Sequence, residues 1–139
     1  MGIRKITSAD LPLLAKTNAK MFGDGTSAQS LKAFKHSLSM GVPGASLMAE
    51  EDGKFAGAVF AEWKITFMPK TAHVSSLFIA EGFRGKGLGT ILLKRSLAAL
   101  RARGCKSVSL TVNDDKCLAF KLYSKLGFKK FKLLMLRRF

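Results

Sequence analysis

Val74-Ser75-Ser76-Leu77-Phe78-Ile79-Ala80-Glu81-Gly82-Phe83-Arg84-Gly85-Lys86-Gly87-Leu88-Gly89 is the stretch that decides the fold. An apolar run of strand length passes into a glycine-rich turn, and the turn opens directly into a long apolar segment at helical spacing. Such a junction leaves the first amides of the helix without acceptors, with the positive end of the helix dipole behind them. Glycines suit it because a side chain would hold the backbone away from an anion and would resist the positive φ angles of an amide nest. The stretch therefore reads as a phosphate site.

Spacing separates the kinds of phosphate loop. The dinucleotide pattern G-x-G-x-x-G fails, because Thr90 stands where the third glycine belongs after Gly85 and Gly87. The nucleoside-triphosphate pattern fails as well, since Gly85-Lys86 is followed by Gly87 and not by Ser or Thr. What remains is Arg84-x-x-Gly87-x-Gly89, Arg-x-x-Gly-x-Gly at a strand-to-helix junction. This resembles the acetyl-coenzyme A pyrophosphate loop of the GNAT superfamily of N-acetyltransferases. An ordinary strand-to-helix turn can carry the same glycines, so the rest of the chain has to agree.

Outward from the loop, the elements can be taken in order. Residues 3–6 alternate and lead to Thr7 and Asp10 at cap spacing, before Leu11, Leu14 and Met21 mark a first helix. Gly23-Asp24-Gly25 breaks it, Thr26 or Ser27 caps a second helix with Leu31, Phe34 and Leu38 on its apolar face, and Gly41 and Pro43 stop that one. Residues 46–50 and 55–65 read as a hairpin around Asp52-Gly53. After Gly87 the helix is apolar round most of its circumference, with Thr90, Lys94 and Arg101 as a narrow polar strip and Gly104 at its end. Residues 106–112 alternate strictly, as a strand with one wet face does. Residues 115–126 put Ala119, Leu122, Tyr123 and Leu126 on one helical face, Gly127 ends that helix, and residues 128–139 read as a last, basic strand.

Composition bounds the rest. With 139 residues, 47% of them hydrophobic, the chain reads as one domain over residues 1–139. No apolar run approaches the roughly 18 residues that span a bilayer, so the expectation is a soluble, cytoplasmic protein with no membrane partner. Cys105 and Cys117 suit neither a disulfide framework nor a zinc cluster and read as buried small hydrophobes. No metal site is expected. A net charge of +15 draws polyanions and repels cations, which admits either a lysine-rich solvated surface or an acidic partner such as RNA or the ribosome.

The segment Ala119-Phe120-Lys121-Leu122-Tyr123-Ser124-Lys125-Leu126-Gly127-Phe128 is similar to the second GNAT signature, with its Ala, its Tyr and its Leu-Gly-Phe end. With the loop at a matching separation, the resemblance covers nearly the whole chain. It implies the GNAT acyl-CoA N-acyltransferase fold: a mixed α/β (α+β) architecture with a mostly antiparallel sheet of about six strands and about four helices. It implies an acetyl-CoA-dependent N-acetyltransferase that moves the acetyl group by direct attack of an amine, either a protein N-terminus or a small molecule. Residues Leu77, Phe78 and Ile79 would hold the pantetheine arm and polarise the thioester, where the family's strand bulges and splays from its neighbour. Arg84, Gly85, Lys86, Gly87, Leu88, Gly89 and Thr90 would hold the pyrophosphate, mostly through backbone amides, with Arg84 in a structural role. Tyr123, the one tyrosine, falls where the family has its general acid, although a core tyrosine has the same spacing. The family commonly has Asn seven residues earlier, contacting the coenzyme; here Lys116 occupies that place.

A base is harder to read. At pH 7 a lysine amine of pKa about 10.4 costs about 4.6 kcal/mol to deprotonate, and an α-amine near 7.8 only about 1.1. His73 shares a strand face with Leu77 and Ile79 by alternation, and Glu62 lies on the hairpin strand beside it; these are the candidates. Scarce acids argue against polyamine acceptors and for a neutral, acidic or N-terminal amine. A different class of function stays open: a catalytically idle copy of the fold, binding RNA or the ribosome through its basic surface. The last strand is of the kind that pairs or swaps between subunits, so a homodimer is a further expectation.

Overall fold

The computed structural model describes residues 1–22 and 26–139. Its sheet is built from β1 (Gly2–Lys5), β2 (Leu47–Glu51), β3 (Lys54–Lys64), β4 (Thr71–Ile79) and β5 (Ser107–Leu110), in that spatial order. The first four pair antiparallel and β5 joins β4 in parallel. Helices α1 (Leu11–Phe22) and α2 (Ser27–Ser39) connect β1 to β2, α3 (Leu88–Ala102) connects β4 to β5, and α4 (Leu118–Lys125) follows β5.

Local chemistry sets the boundaries. Asp10 accepts hydrogen bonds from the Thr7 amide (2.8 Å) and hydroxyl (3.0 Å), closing a single 3-10 turn that feeds α1. Thr26 caps α2: its hydroxyl accepts from the Gln29 amide at 3.1 Å, and the Gln29 side chain accepts from the Thr26 amide at 2.8 Å. The expected break at Gly23-Asp24-Gly25 lies outside the described residues. Asp52 and Gly53 have φ of 51° and 75°, the mirror-image turn that matches strand twist, and they join β2 to β3 as expected.

Each sheet face carries its own core. On one, α1 and α2 bury Leu14, Ala15 and Phe34 against Met48, Ala58, Phe60 and Phe78, with Phe34 stacked on Phe60 at 4.5 Å between ring centres. On the other, Leu88, Leu92, Leu93 and Leu100 of α3 pack on Val59, Ala61, Ala72 and Val74. The buried Ser96 donates to the Ala45 carbonyl at 2.7 Å, which satisfies the polar group in that apolar face. The exposed strip of α3 is wider than its sequence suggests and takes in Ile91 and Arg95 as well as Lys94 and Arg101.

Three expectations need correction. The sheet has five strands among the described residues, not six, because residues 128–139 pair with nothing and form no ladder. A strand exists only where a partner edge satisfies its amides and carbonyls, and alternation cannot supply the partner. The cysteines are half-buried, not buried: the Cys105 and Cys117 thiols donate to the carbonyls of Ser107 (3.1 Å) and Asp114 (3.2 Å). Finally, α4 begins at Leu118, since residues 114–117 are taken up in a turn where the Asp114 carboxylate accepts from the Lys116 amide at 2.8 Å.

Candidate active site

The site starts from a defect in strand pairing. In the β3–β4 ladder Phe60 faces Ser76 but Ala61 faces Val74, so Ser75 is the extra residue of a β-bulge. Its hydroxyl lies 3.3 Å from that of Ser37 in α2. Beyond the bulge β4 also loses its other neighbour: β5 pairs only with residues 71–74, through Thr71–Ser107, Ala72–Val108, His73–Ser109 and Val74–Leu110. The two parallel strands then part after Val74, and residues 75–79 run on along the gap.

Two clefts open there. The first, about 330 Å³, lies between the diverging strands and is lined by residues 74–78, residues 110–113, Asn18, Cys117, Ala119 and Tyr123. The second, about 370 Å³, lies over the glycine turn and is lined by Leu77, Phe78, Ile79, Phe83, Arg84, Gly85, Gly87, Leu88, Gly89 and the α4 residues Leu118, Ala119, Leu122 and Tyr123, with Met21. Leu77, Phe78, Ala119 and Tyr123 line both, so the clefts meet along this wall.

At the turn, Gly85 and Gly87 have φ of 75° and 79°, and Gly87 is the N-cap of α3 in the left-handed region. The first bond of that helix runs from the Ile91 amide to the Gly87 carbonyl at 3.1 Å. Among the described residues, the amides of residues 85–90 have no protein acceptor. A Cβ at Gly85 or Gly87 would meet no protein atom within 4 Å, so conformation and the open space of the second cleft, not crowding, call for glycine there. Open space in front of unpaired amides suits a diphosphate. The Arg84 side chain points back, its Nε donating to the Ile79 carbonyl at 3.0 Å and tying the turn to the end of β4. Lys86 is exposed, with its ammonium 5.9 Å from the centre of the Phe83 ring. Leu88 is buried in the core, and a Cβ at Gly89 would make ordinary contact with Leu122 and Ile79 at 3.6 and 3.7 Å, so space alone does not require glycine there.

Tyr123 stands on α4 at the junction of the clefts, edge-on to Phe128 at 6.0 Å. Burial, and to a lesser degree the neighbouring Cys117, raise its phenol above the usual range. Its hydroxyl makes no hydrogen bond to the protein among the described residues. A neutral phenol of this kind has a proton to give.

The other candidates fall elsewhere. His73 does not share a face with Leu77 and Ile79, as simple alternation predicts: the extra residue at Ser75 inverts the alternation below it. Leu77 and Ile79 pack toward α3, whereas His73 lies on the α1–α2 side opposite Glu62 in the ladder. His73 Nδ1 is 2.9 Å from the Ser109 hydroxyl, and neither His73 nor Glu62 lines a cleft. Burial and Lys64 lower the His73 pKa, against an opposing pull from Glu62. One Glu62 oxygen is buried without a hydrogen-bond partner, so the solvated edge carboxylate that its sequence also permits is not what the fold makes of it. Lys116 is exposed in the turn before α4 and lines neither cleft; the next residue, Cys117, does. Sequence reasoning missed Asn18, Ser75, Ser76, Thr111 and Asn113. The paired serines inside an otherwise apolar strand were the one available signal.

The model of the acetyltransferase (GNAT) family matches residues 13–128, and the chain belongs to this family. Its relatives include an N-alpha-acetyltransferase of Sulfurisphaera tokodaii, 34% identical over 99 residues, covering 65% of this chain and 59% of that protein. N-alpha-acetyltransferase 30 of Schizosaccharomyces pombe is 29% identical over 93 residues, covering 66% and 62%. The match thus spans about three-fifths of the length of these relatives. Among solved structures, the aminoglycoside N-acetyltransferase AAC(6')-Iy in complex with CoA aligns over 99% of this chain and 93% of its own, with a TM-score of 0.80 and 16% identity. A predicted acetyltransferase with acetyl-CoA from Clostridium acetobutylicum aligns over 98% and 95%, with a TM-score of 0.79 and 19% identity. These two likenesses establish the fold.

Proposed function

We infer that the chain is an acetyl-CoA-dependent N-acetyltransferase and that its acceptor is the α-amine of a neutral or acidic peptide. One observation carries the reading: a single wall, Leu77, Phe78 and Tyr123, divides a cleft with unpaired amides at its mouth from a cleft with neutral polar groups. Residues 85–90 would hold the diphosphate through their amides, and the backbone groups of Leu77 and Ile79, which line the second cleft, would hold the pantetheine arm. Bound so, acetyl-CoA supplies a thioester carbonyl for the amine to attack. As the amine nitrogen bonded to the carbonyl carbon and the carbon–sulfur bond broke, Tyr123 Oη would give its proton to the sulfur; the raised phenol pKa keeps that proton in place beforehand.

The acceptor class follows from what lines the first cleft. Asn18, Ser75, Ser76, Thr111 and Asn113 offer hydrogen bonds, and among the described residues no carboxylate and no histidine lines it. A lysine side chain would need a strong base there; an α-amine, short of its neutral form by only about 1.1 kcal/mol at pH 7, can pass its proton to water. The names of the N-alpha-acetyltransferase relatives point the same way. A net charge of +15 disfavours polycationic acceptors such as polyamines and aminoglycosides.

The test is turnover of labelled acetyl-CoA against peptides with free N-termini, lysine peptides, a polyamine and an aminoglycoside, with Tyr123→Phe and Gly87→Glu alongside. Acetylation of the N-terminal peptides, lost in both variants, is the expected result. Turnover restricted to lysine side chains or polyamines would overturn the acceptor assignment. Absence of both turnover and CoA binding would favour the idle, RNA- or ribosome-binding alternative that the charge supports.

A further inference from the structure

The turn that joins β3 to β4, residues 65–70, carries Ile65 and Phe67 more than 90% exposed and Met68 half-exposed. Hydrogen bonds hold these side chains outward. The Thr66 hydroxyl accepts from the Met68 amide at 3.1 Å and donates to the Met68 carbonyl at 2.8 Å, and the Thr71 hydroxyl donates to the same carbonyl at 3.2 Å. The Lys70 carbonyl accepts from the Lys106 amide at 2.8 Å, which ties the turn to the start of β5. Little ordering entropy is left for such a tip to lose when it meets a partner. Met40, whose carbonyl accepts from the Trp63 amide at 3.0 Å, adds exposed apolar surface at the same end of the sheet.

Charge is sorted along the sheet as well. Lys64 and Lys70 flank the tip, and the segment between α3 and β5 brings Arg101, Arg103 and Lys106 to the same end; all five are exposed. In α2, β3, β4, β5 and residues 65–70 and 101–106 there is one acid, Glu62, and one of its oxygens is buried. Glu50, Glu51, Asp52, Glu81, Asp114 and Asp115 lie at the opposite end, around the β2–β3 turn and beyond the C-termini of β4 and β5. An apolar tip ringed by cations is complementary to an anionic lipid surface.

We propose that this end of the protein docks on an anionic bilayer, with Ile65, Phe67 and Met68 entering the boundary between headgroups and acyl chains while the five cations meet lipid phosphates. The inference is independent of the acetyl-transfer reading. The sequence expectation of no membrane partner rests on spanning length, and no helix among the described residues is long and apolar enough to cross a bilayer; a surface contact needs neither. Area argues against a protein partner. An aromatic side chain buries about 150–250 Å², so even three side chains at the top of that range fall short of the roughly 800 Å² per side of a standard protein interface. A fluid bilayer sets no such threshold, because apolar burial and charge attraction simply add. A second copy would bring the same cations against these, and RNA would answer the cations but give Ile65 and Met68, which have no ring, no base to stack on. Docked in this way the glycine turn stays clear of the lipid, since the nine residues of β4 set it about 26 Å from the tip.

Flotation of the full chain with vesicles tests the proposal, using phosphatidylcholine alone and an equal mixture of phosphatidylcholine and phosphatidylglycerol at rising salt. Binding to the mixed vesicles, much weaker on phosphatidylcholine and falling as salt rises, is the expected result. Ile65→Ser combined with Phe67→Ser should weaken partitioning on the order of 100-fold, and Lys64→Gln combined with Lys106→Gln about 20-fold at low salt. Unchanged melting temperatures show that these exposed substitutions leave the domain intact. Phe67→Trp supplies a readout that needs no loss of binding: its emission should shift to the blue on mixed vesicles and be quenched by brominated lipid, beyond any change in Trp63 of the wild type. No binding to the mixed vesicles, or equal binding to both kinds, overturns the proposal. So does binding that both double variants leave unchanged, as it would be if residues 129–139 carried it, or a tip that binds RNA and not vesicles.

Discussion

Tyr123 and His73 show how position decides the use of a titratable side chain. Tyr123 lines both clefts, and its raised pKa keeps it protonated across the neutral range. Tyr123→Phe is expected to lower kcat about 100- to 10,000-fold with little change in the binding of acetyl-CoA, as measured by steady-state kinetics and calorimetry. His73 instead lies outside both clefts, with Nδ1 2.9 Å from the Ser109 hydroxyl. Its folded pKa is depressed, so between that value and the unfolded value of about 6.5 the unfolded chain takes up a proton that the folded one refuses. The contribution is fully present above about pH 6.5 and is lost as pH falls through the depressed value. Thermal melts between neutral and mildly acidic pH should therefore slope more steeply for the wild type than for His73→Gln, while activity at pH 7.5 is largely retained.

At the scale of elements, glycines mark where backbone geometry leaves no choice. Gly87 caps α3 at a φ of 79°, and an L side chain in that region costs about 1–2 kcal/mol. Gly87→Ala should lower the melting temperature modestly and weaken CoA binding in titration calorimetry by a larger factor, because the turn that aims the amides must shift. Gly57 on β3 is different: a Cβ there would lie 2.7 Å from Ile79 Cδ1 and 3.2 Å from both Leu92 Cδ1 and the Phe78 carbonyl oxygen. Gly57→Val should cost about 1–3 kcal/mol by overpacking between β4 and α3, read as a lower urea midpoint. Only the first of these glycines could be understood from its neighbours in sequence. Gly87 sits in a local pattern whose geometry is set within a few residues, whereas Gly57 is required by side chains 22 and 35 positions away.

On the scale of the whole molecule, charge and topology govern what reaches the site. A net charge of +15 around a cleft that no carboxylate lines among the described residues should make kcat/KM higher for peptides with acidic residues after the free amine than for basic ones. That preference should shrink as salt rises, which a competition between labelled peptides measures. The cleft itself is a property of the sheet, created because β4 keeps its pairing with β3 through a bulge while β5 leaves after four residues.

Amino-acid order alone determined the parts whose cause is local: the caps at Thr7 and Thr26, the Asp52–Gly53 turn, the amide-rich turn after β4, and the helical face bearing Tyr123. Tertiary structure decided the rest. The face that His73 occupies, the removal of Lys116 from the cleft and the unpaired state of residues 131–139 depend on which strand lies beside which and in what register. Hydrogen bonding between strands joins residues far apart in the chain, and one extra residue at Ser75 reverses every side chain below it.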